Sequence, residues 1–229
     1  MMQILAMHGW AGHAGTWSHW RQHFEAGGSI WTSANRGYGG EAPVSPAWST
    51  GPERKVLIAH SLGPHLLPAS VLEQAHAVVL LGSFSTFVPK GRTGRAVAAA
   101  LQGMQAALGT DQELTMLDRF LDKAASPHPR SALPPSPLLQ GLTVLGRRRL
   151  QQDLELLTRC RTLPTGWPDA VPVLLVQGEQ DAVVHAAAAQ QLIDDLEHQP
   201  LTLHREAAWG HALITPPVLS VVQRWLEAL

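Results

Sequence analysis

The sequence predicts an α/β fold: a mostly parallel sheet of about six strands, helices on both faces, and an inserted all-helical segment. Three observations carry this. Unbroken apolar runs of strand length recur between stretches of helical spacing, the pattern of buried parallel strands joined by crossover helices. One such run, Val56-Leu57-Ile58-Ala59, stops at His60-Ser61-Leu62-Gly63-Pro64, where a strand meets a helix through a turn of small residues. From about residue 84 to 163, roughly eighty positions, no strand-like run appears while periodic leucines continue.

Residues 2–7 read as the first buried strand, ending in the loop His8-Gly9-Trp10-Ala11-Gly12. A short helix near 17–24 and a second strand near 29–33 follow, then the glycine-rich loop Arg36-Gly37-Tyr38-Gly39-Gly40. The strand over 55–59 leads into a helix at about 64–73, for which Pro64 suits the first turn. Residues 77–81 form the fourth strand. In the strand-free block, 95–108 is alanine-rich and helical. Thr110-Asp111-Gln112-Glu113 has the form of a capping box opening a helix with Leu114, Leu117 and Leu121 on one face. Residues 126–137 are a proline-rich break, and Leu150, Leu154 and Leu157 mark another amphipathic helix. The sheet resumes at 171–177, closing on Gly178-Glu179-Gln180-Asp181. Then come a helix over 186–197, a strand over 201–204, the loop Ala207-Ala208-Trp209-Gly210-His211 and a final amphipathic helix. The expected division is a core of residues 1–83 and 166–229 and a helical lid of residues 84–165.

A chain of 229 residues suffices for one sizeable core, and a formal net charge of −1 offers no global field for nucleic acid. Cys160 is the only cysteine, so no intramolecular disulfide framework exists and a reducing compartment fits. The N-terminus lacks a basic region and a long apolar run, and no stretch reaches the length of a membrane span. A cytoplasmic location is the expectation. His19 and His23 lie four apart on a helix, but no acidic or cysteine partner follows at ligand spacing, so no metal is expected and a solvated face is the simpler reading.

Acyl transfer by a serine needs a nucleophile, a base within hydrogen-bond reach, and a carboxylate to orient the base. In open α/β sheets these sit beyond the carboxyl ends of strands. Ser61, Asp181 and His211 each follow a predicted strand, in the chain order Ser, Asp, His of the α/β-hydrolases. Taken singly, Asp181 is as readily a helix cap and His211 a loop residue; together they define a triad. The oxyanion donors are then the N–H of Leu62, after the nucleophile, and that of Trp10 in the first exit loop, where Gly9 allows the required backbone orientation. Small residues two before and two after the serine, here Ala59 and Gly63, suit the tight turn. Charge is uneven: the block over 84–165 carries +5 and the remainder −6. A basic cap on an acidic body would draw an anionic partner toward the site mouth.

With these residues in place, the chain resembles the pimeloyl-[acyl-carrier protein] methyl ester esterases of biotin synthesis. The match rests on His8-Gly9-Trp10, the Ser61-Leu62-Gly63 elbow, Gly178-x-x-Asp181, Gly210-His211-Ala212 and, in the cap, Arg119-Phe120-Leu121. The resemblance implies an α/β-hydrolase fold and a serine carboxylesterase without a cofactor. It further implies an acyl channel lined by Phe120 with Leu121, and an acyl-carrier protein partner held by Arg119. Arg147, Arg148 and Arg149 are candidates for that surface by charge only. The elbow departs from the family in Ala59-His60, where Gly-Trp is usual, a change expected at the pocket wall. The same triad also fits a general short-chain esterase, a thioesterase or a carbon–carbon lyase of menaquinone synthesis. A non-catalytic binding module of the same fold is the reading from a different class.

Overall fold

A computed structural model describes all 229 residues. Six parallel strands form one sheet in the order β2-β1-β3-β4-β5-β6. They are β1 (Met2–Met7), β2 (Ile30–Ala34), β3 (Arg54–His60), β4 (Ala77–Leu81), β5 (Val173–Gly178) and β6 (Leu201–Glu206). The four central strands are almost wholly buried, which is why their sequences are continuous apolar runs rather than alternating ones.

Side chains alternate across the pleat, so each strand feeds two cores. Ile4, Ala6, Val56 and Ile58 pack against Trp20 and Phe24 of α1 (Ser18–Ala26) and Val218 and Val222 of α7 (Pro216–Glu227). Leu5, Met7, Leu57 and Ala59 pack against Val71 and Leu72 of α2 (Ala69–Leu72) and Leu192 of α6 (Ala186–Asp195). A third core lies beyond the sheet, where Trp10, Tyr38 and Leu62 meet α3 (Gly91–Ala107), α4 (Glu113–Ala125) and α5 (Val144–Arg159). These three helices enter between β4 and β5 and cover the carboxyl ends of the strands, as the strand-free block implied. No helix is long and apolar enough to cross a membrane.

Three local expectations need correction. The helix after the elbow is not continuous: a 3-10 turn over Gly63–Leu66 gives way to an extended Leu67 and the single turn of α2. Pro68 is the cause, since it disfavours helical backbone at the residue before it and supplies no N–H. The capping box does not form. Thr110 Oγ1 accepts from the Gln112 N–H at 3.1 Å, while the Glu113 carboxylate accepts from the Gly109 N–H at 2.7 Å and pairs with Arg147. A strong ion pair to a neighbouring helix outcompetes the local cap. Leu114 is exposed rather than aligned with the buried Leu117 and Leu121.

Two side-chain networks fix the helical segment to the sheet. Asp153 of α5, nearly fully buried, takes a bidentate pair from Arg36 at 2.7 Å for both contacts and the Tyr38 hydroxyl at 2.6 Å. The Trp10 indole N–H donates to the Leu150 carbonyl at 2.9 Å. Loops from β1 and β2 are thereby held to one helix of the insertion.

Candidate active site

Strand order reverses on either side of β1 and β3, and in open α/β sheets the crevice at such a switch point is where ligands bind. Ser61 follows β3 directly and has φ of 55°, left-handed backbone that a non-glycine residue rarely adopts. Its amide still completes the sheet, donating to the Leu81 carbonyl at 2.9 Å, so the strain is held by the flanking strand. Gly63 permits the turn. A Cβ there would lie 2.7 Å from the Met7 carbonyl oxygen. Ala59 is buried on β3 without conflict, so no glycine is required at that position.

Asp181 lies in the turn after β5 and is not the cap of α6; His185 caps that helix by accepting from the Ala187 N–H. Asp181 Oδ1 instead accepts from the Val183 and Val184 N–H groups at 2.7 and 2.8 Å, an Asx-type turn that fixes the carboxylate. Its Oδ2 accepts from His211 Nδ1 at 2.8 Å. Burial alone would raise the Asp181 pKa, but the His211 ring and the two backbone donors outweigh it and hold the carboxyl below its ordinary value. Since a carboxylate only accepts, Nδ1 carries the proton and Nε2 of a neutral His211 is left as a base. No hydrogen bond joins Ser61 to His211 here; such contacts often form only once substrate is bound.

The Trp10 and Leu62 N–H groups, expected as oxyanion donors, donate to no backbone carbonyl. Gly9 beside them is needed for space rather than for a special φ. A Cβ on it would stand 2.7 Å from Ser61 Cβ, while the left-handed position of this loop falls on Ala11. Phe120 packs edge-on against Trp10 with ring centroids 4.8 Å apart, and Leu121 is buried beside it. Arg119 is exposed at the rim of an apolar cavity of about 450 Å³ that reaches Ser61. The other basic candidates are dispersed. Arg147 closes a bidentate pair with Glu113 at 2.5 and 2.9 Å, Arg149 donates to the Gly37 carbonyl at 3.4 Å, and Arg148 is exposed.

Sequence reading missed the role of His60. Its ring lies 4.7 Å from that of His211 and its Nε2 donates to the His211 backbone carbonyl at 2.9 Å. Burial, with the nearby His211, lowers its pKa to about 3. His8 is likewise kept neutral by burial, at about 4; its Nε2 accepts from the Arg36 N–H at 3.1 Å and its Nδ1 donates to the Gly9 carbonyl at 2.8 Å. Adjacency to Ser61 was the only available signal for His60. His19 and His23 are exposed on α1, and no cluster of three or more metal-ligating side chains exists.

No family model matches the chain, and no curated protein matches its sequence. Solved structures do. An esterase from Exiguobacterium antarcticum superposes with a TM-score of 0.72 at 16% identity, over 100% of this chain and 91% of that one. A Rhodococcus esterase gives 0.65 at 16% identity, over 100% and 91%. An epoxide hydrolase from Bacillus megaterium gives 0.65 at 15% identity, over 99% and 94%. With the six-stranded parallel sheet, these likenesses establish the α/β-hydrolase fold.

Proposed function

We propose that the chain is a serine ester hydrolase working through an acyl-enzyme. One observation carries this reading: a serine held at φ of 55° at the end of a central strand, whose neighbour His60 bonds the carbonyl of a histidine with its Nδ1 on a largely buried, amide-anchored aspartate. His211 Nε2 takes the Ser61 proton as Oγ attacks the ester carbonyl carbon. The Trp10 and Leu62 N–H groups receive the developing oxyanion, and Asp181 stabilises the imidazolium. His211 then protonates the departing alkoxide, and a water activated by the same base releases the acid. Ser61→Ala is expected to remove both hydrolysis and fluorophosphonate labelling. Undiminished labelling of the variant would defeat the reading.

The finer proposal is a carboxylesterase acting on the methyl ester of a carrier-bound dicarboxylate, pimeloyl-acyl-carrier protein. Its support is the resemblance of the short motifs, the apolar cavity of about 450 Å³ between α3 and α4, and the exposed Arg119 and Lys123 at its rim. The +5 charge of the helical segment favours an acidic carrier. Arg147, paired with Glu113, contributes least to such a surface. Rescue of a biotin-requiring strain lacking its own esterase tests this, with Ser61→Ala as control. Equal activity on carrier-bound and free methyl esters, unaffected by Arg119→Glu, would remove the carrier while leaving ester hydrolysis standing.

A further inference from the structure

Two cavities border Ser61 and His211, and a third of about 260 Å³ lies behind them against Asp181. The larger, about 450 Å³, is bordered by Ser61 and not by His211. The smaller, about 110 Å³, lies between the loops after β1 and β6 and is bordered by His211 and not by Ser61. Trp10 and Phe120 line both and form the wall between them, with Trp10 held in place by its bond to Leu150. We propose that the ester straddles this wall, the acyl chain in the larger cavity and the departing alcohol, then the hydrolytic water, in the smaller one. This rests on the ester-hydrolase reading and adds the chemical class of the leaving group: a short-chain alcohol.

The direction follows from proton transfer. When the Ser61 Oγ–carbon bond forms and the carbon–alkoxy bond breaks, the leaving oxygen must collect the proton that His211 Nε2 took from Ser61. It therefore departs on the His211 side. The alcohol leaves, and a water in the same place gives a proton to His211 as its oxygen bonds the acyl carbon. The Ser61 Oγ–carbon bond then breaks and the proton returns to Ser61. No other reactant is needed.

The smaller cavity is also equipped for hydroxyl groups. His13 and Ser136 line it, and the buried His13 Nδ1 and Ser136 Oγ have no hydrogen-bond partner in the protein; the Glu41 carboxylate stands 4.0 Å from His13 Nδ1, beyond hydrogen-bond reach. Buried polar atoms of this kind ordinarily find a water or a ligand. At about 110 Å³ against about 450 Å³, the smaller cavity suits a short alcohol and the larger one the longer acyl chain. Leu133 lines the smaller cavity from the helical segment, together with Leu121 and Pro134.

The test uses esters of one linear acid with methanol, n-propanol, n-hexanol and benzyl alcohol, alongside methyl esters of acids of increasing length. The expected result is similar kcat/KM from methyl to propyl and a fall of at least about tenfold at hexyl and benzyl, with longer acyl chains accepted. Leu133→Ala should raise the benzyl-to-methyl ratio several-fold. A flat alcohol series, or size exclusion on the acyl side instead, overturns the assignment. If Ser61 is labelled by fluorophosphonate and the alcohol series is flat, this inference alone fails. Absence of both labelling and hydrolysis removes the ester-hydrolase reading and the inference with it.

Discussion

Lowering the pH from 7 to 5 should destabilise this fold through two histidines that are folded in their neutral form. His8 and His60 have pKa values of about 4 and about 3 against an ordinary 6.5, chiefly because burial disfavours the imidazolium. A folded pKa below the unfolded one means that the unfolded chain binds more protons as pH falls. The stability they contribute is thus complete above 6.5 and lost on acidification toward the folded values. At pH 5 the loss is set by the 1.5 units below 6.5, so it hardly depends on whether the folded value is 3 or 4. Each histidine costs about 2 kcal/mol there, and the pair about 4 kcal/mol, a large share of the ~5–15 kcal/mol typical of a domain. His13 and His65, also lowered by burial, act in the same direction. Asp181 does not interfere, because its depressed carboxyl gives up its contribution only below its unfolded value of 3.8. Urea titrations at pH 7, 6 and 5 measure the effect, and with a slope of ~2–3 kcal/mol/M the midpoint should fall by about 1.5 M. His60→Gln, which keeps a donor for the His211 carbonyl, should remove about half of that dependence. A midpoint unchanged between pH 7 and 5, or an unaltered pH dependence in both His8→Gln and His60→Gln, would refute the reasoning.

Two further outcomes follow from the same geometry. Asp181→Asn should lower kcat by up to about ten-thousand-fold in an ester assay, because an amide can donate to Nδ1 and leave the wrong nitrogen protonated. Asp153→Ala leaves the Arg36 guanidinium and Tyr38 hydroxyl without their acceptor, and should cost about 3 kcal/mol by denaturant unfolding, the exposed side of Arg36 moderating the loss.

The sheet was legible in the chain because buried parallel strands have no polar face to hide: residues 2–7, 77–81 and 171–177 announce themselves by apolar continuity. The placement of the three candidate residues was legible for a related reason. In a parallel sheet every strand ends on the same edge, so Ser61, Asp181 and His211, each just past a strand, share that edge before any coordinate is known. The same logic located the Trp10 and Leu62 amides. It failed where local signals competed with distant partners. The capping box at Thr110 yielded to an ion pair between Glu113 and Arg147, and the elbow helix stopped at Pro68.

The sequence by itself thus determined the layered α/β architecture, the strand-end positions of Ser61, Asp181 and His211 and the helical block over the strand ends, because periodicity and strand-end order are local properties of a chain. Only the tertiary structure decided what surrounds them. It brought His60 beneath His211, tied α5 to the sheet through Arg36, Tyr38 and Asp153, spent Arg147 on Glu113, and raised the Trp10–Phe120 wall between two cavities. These contacts join residues as far apart as 151 and 117 positions, and no periodicity encodes which distant side chains meet when helices pack onto a sheet.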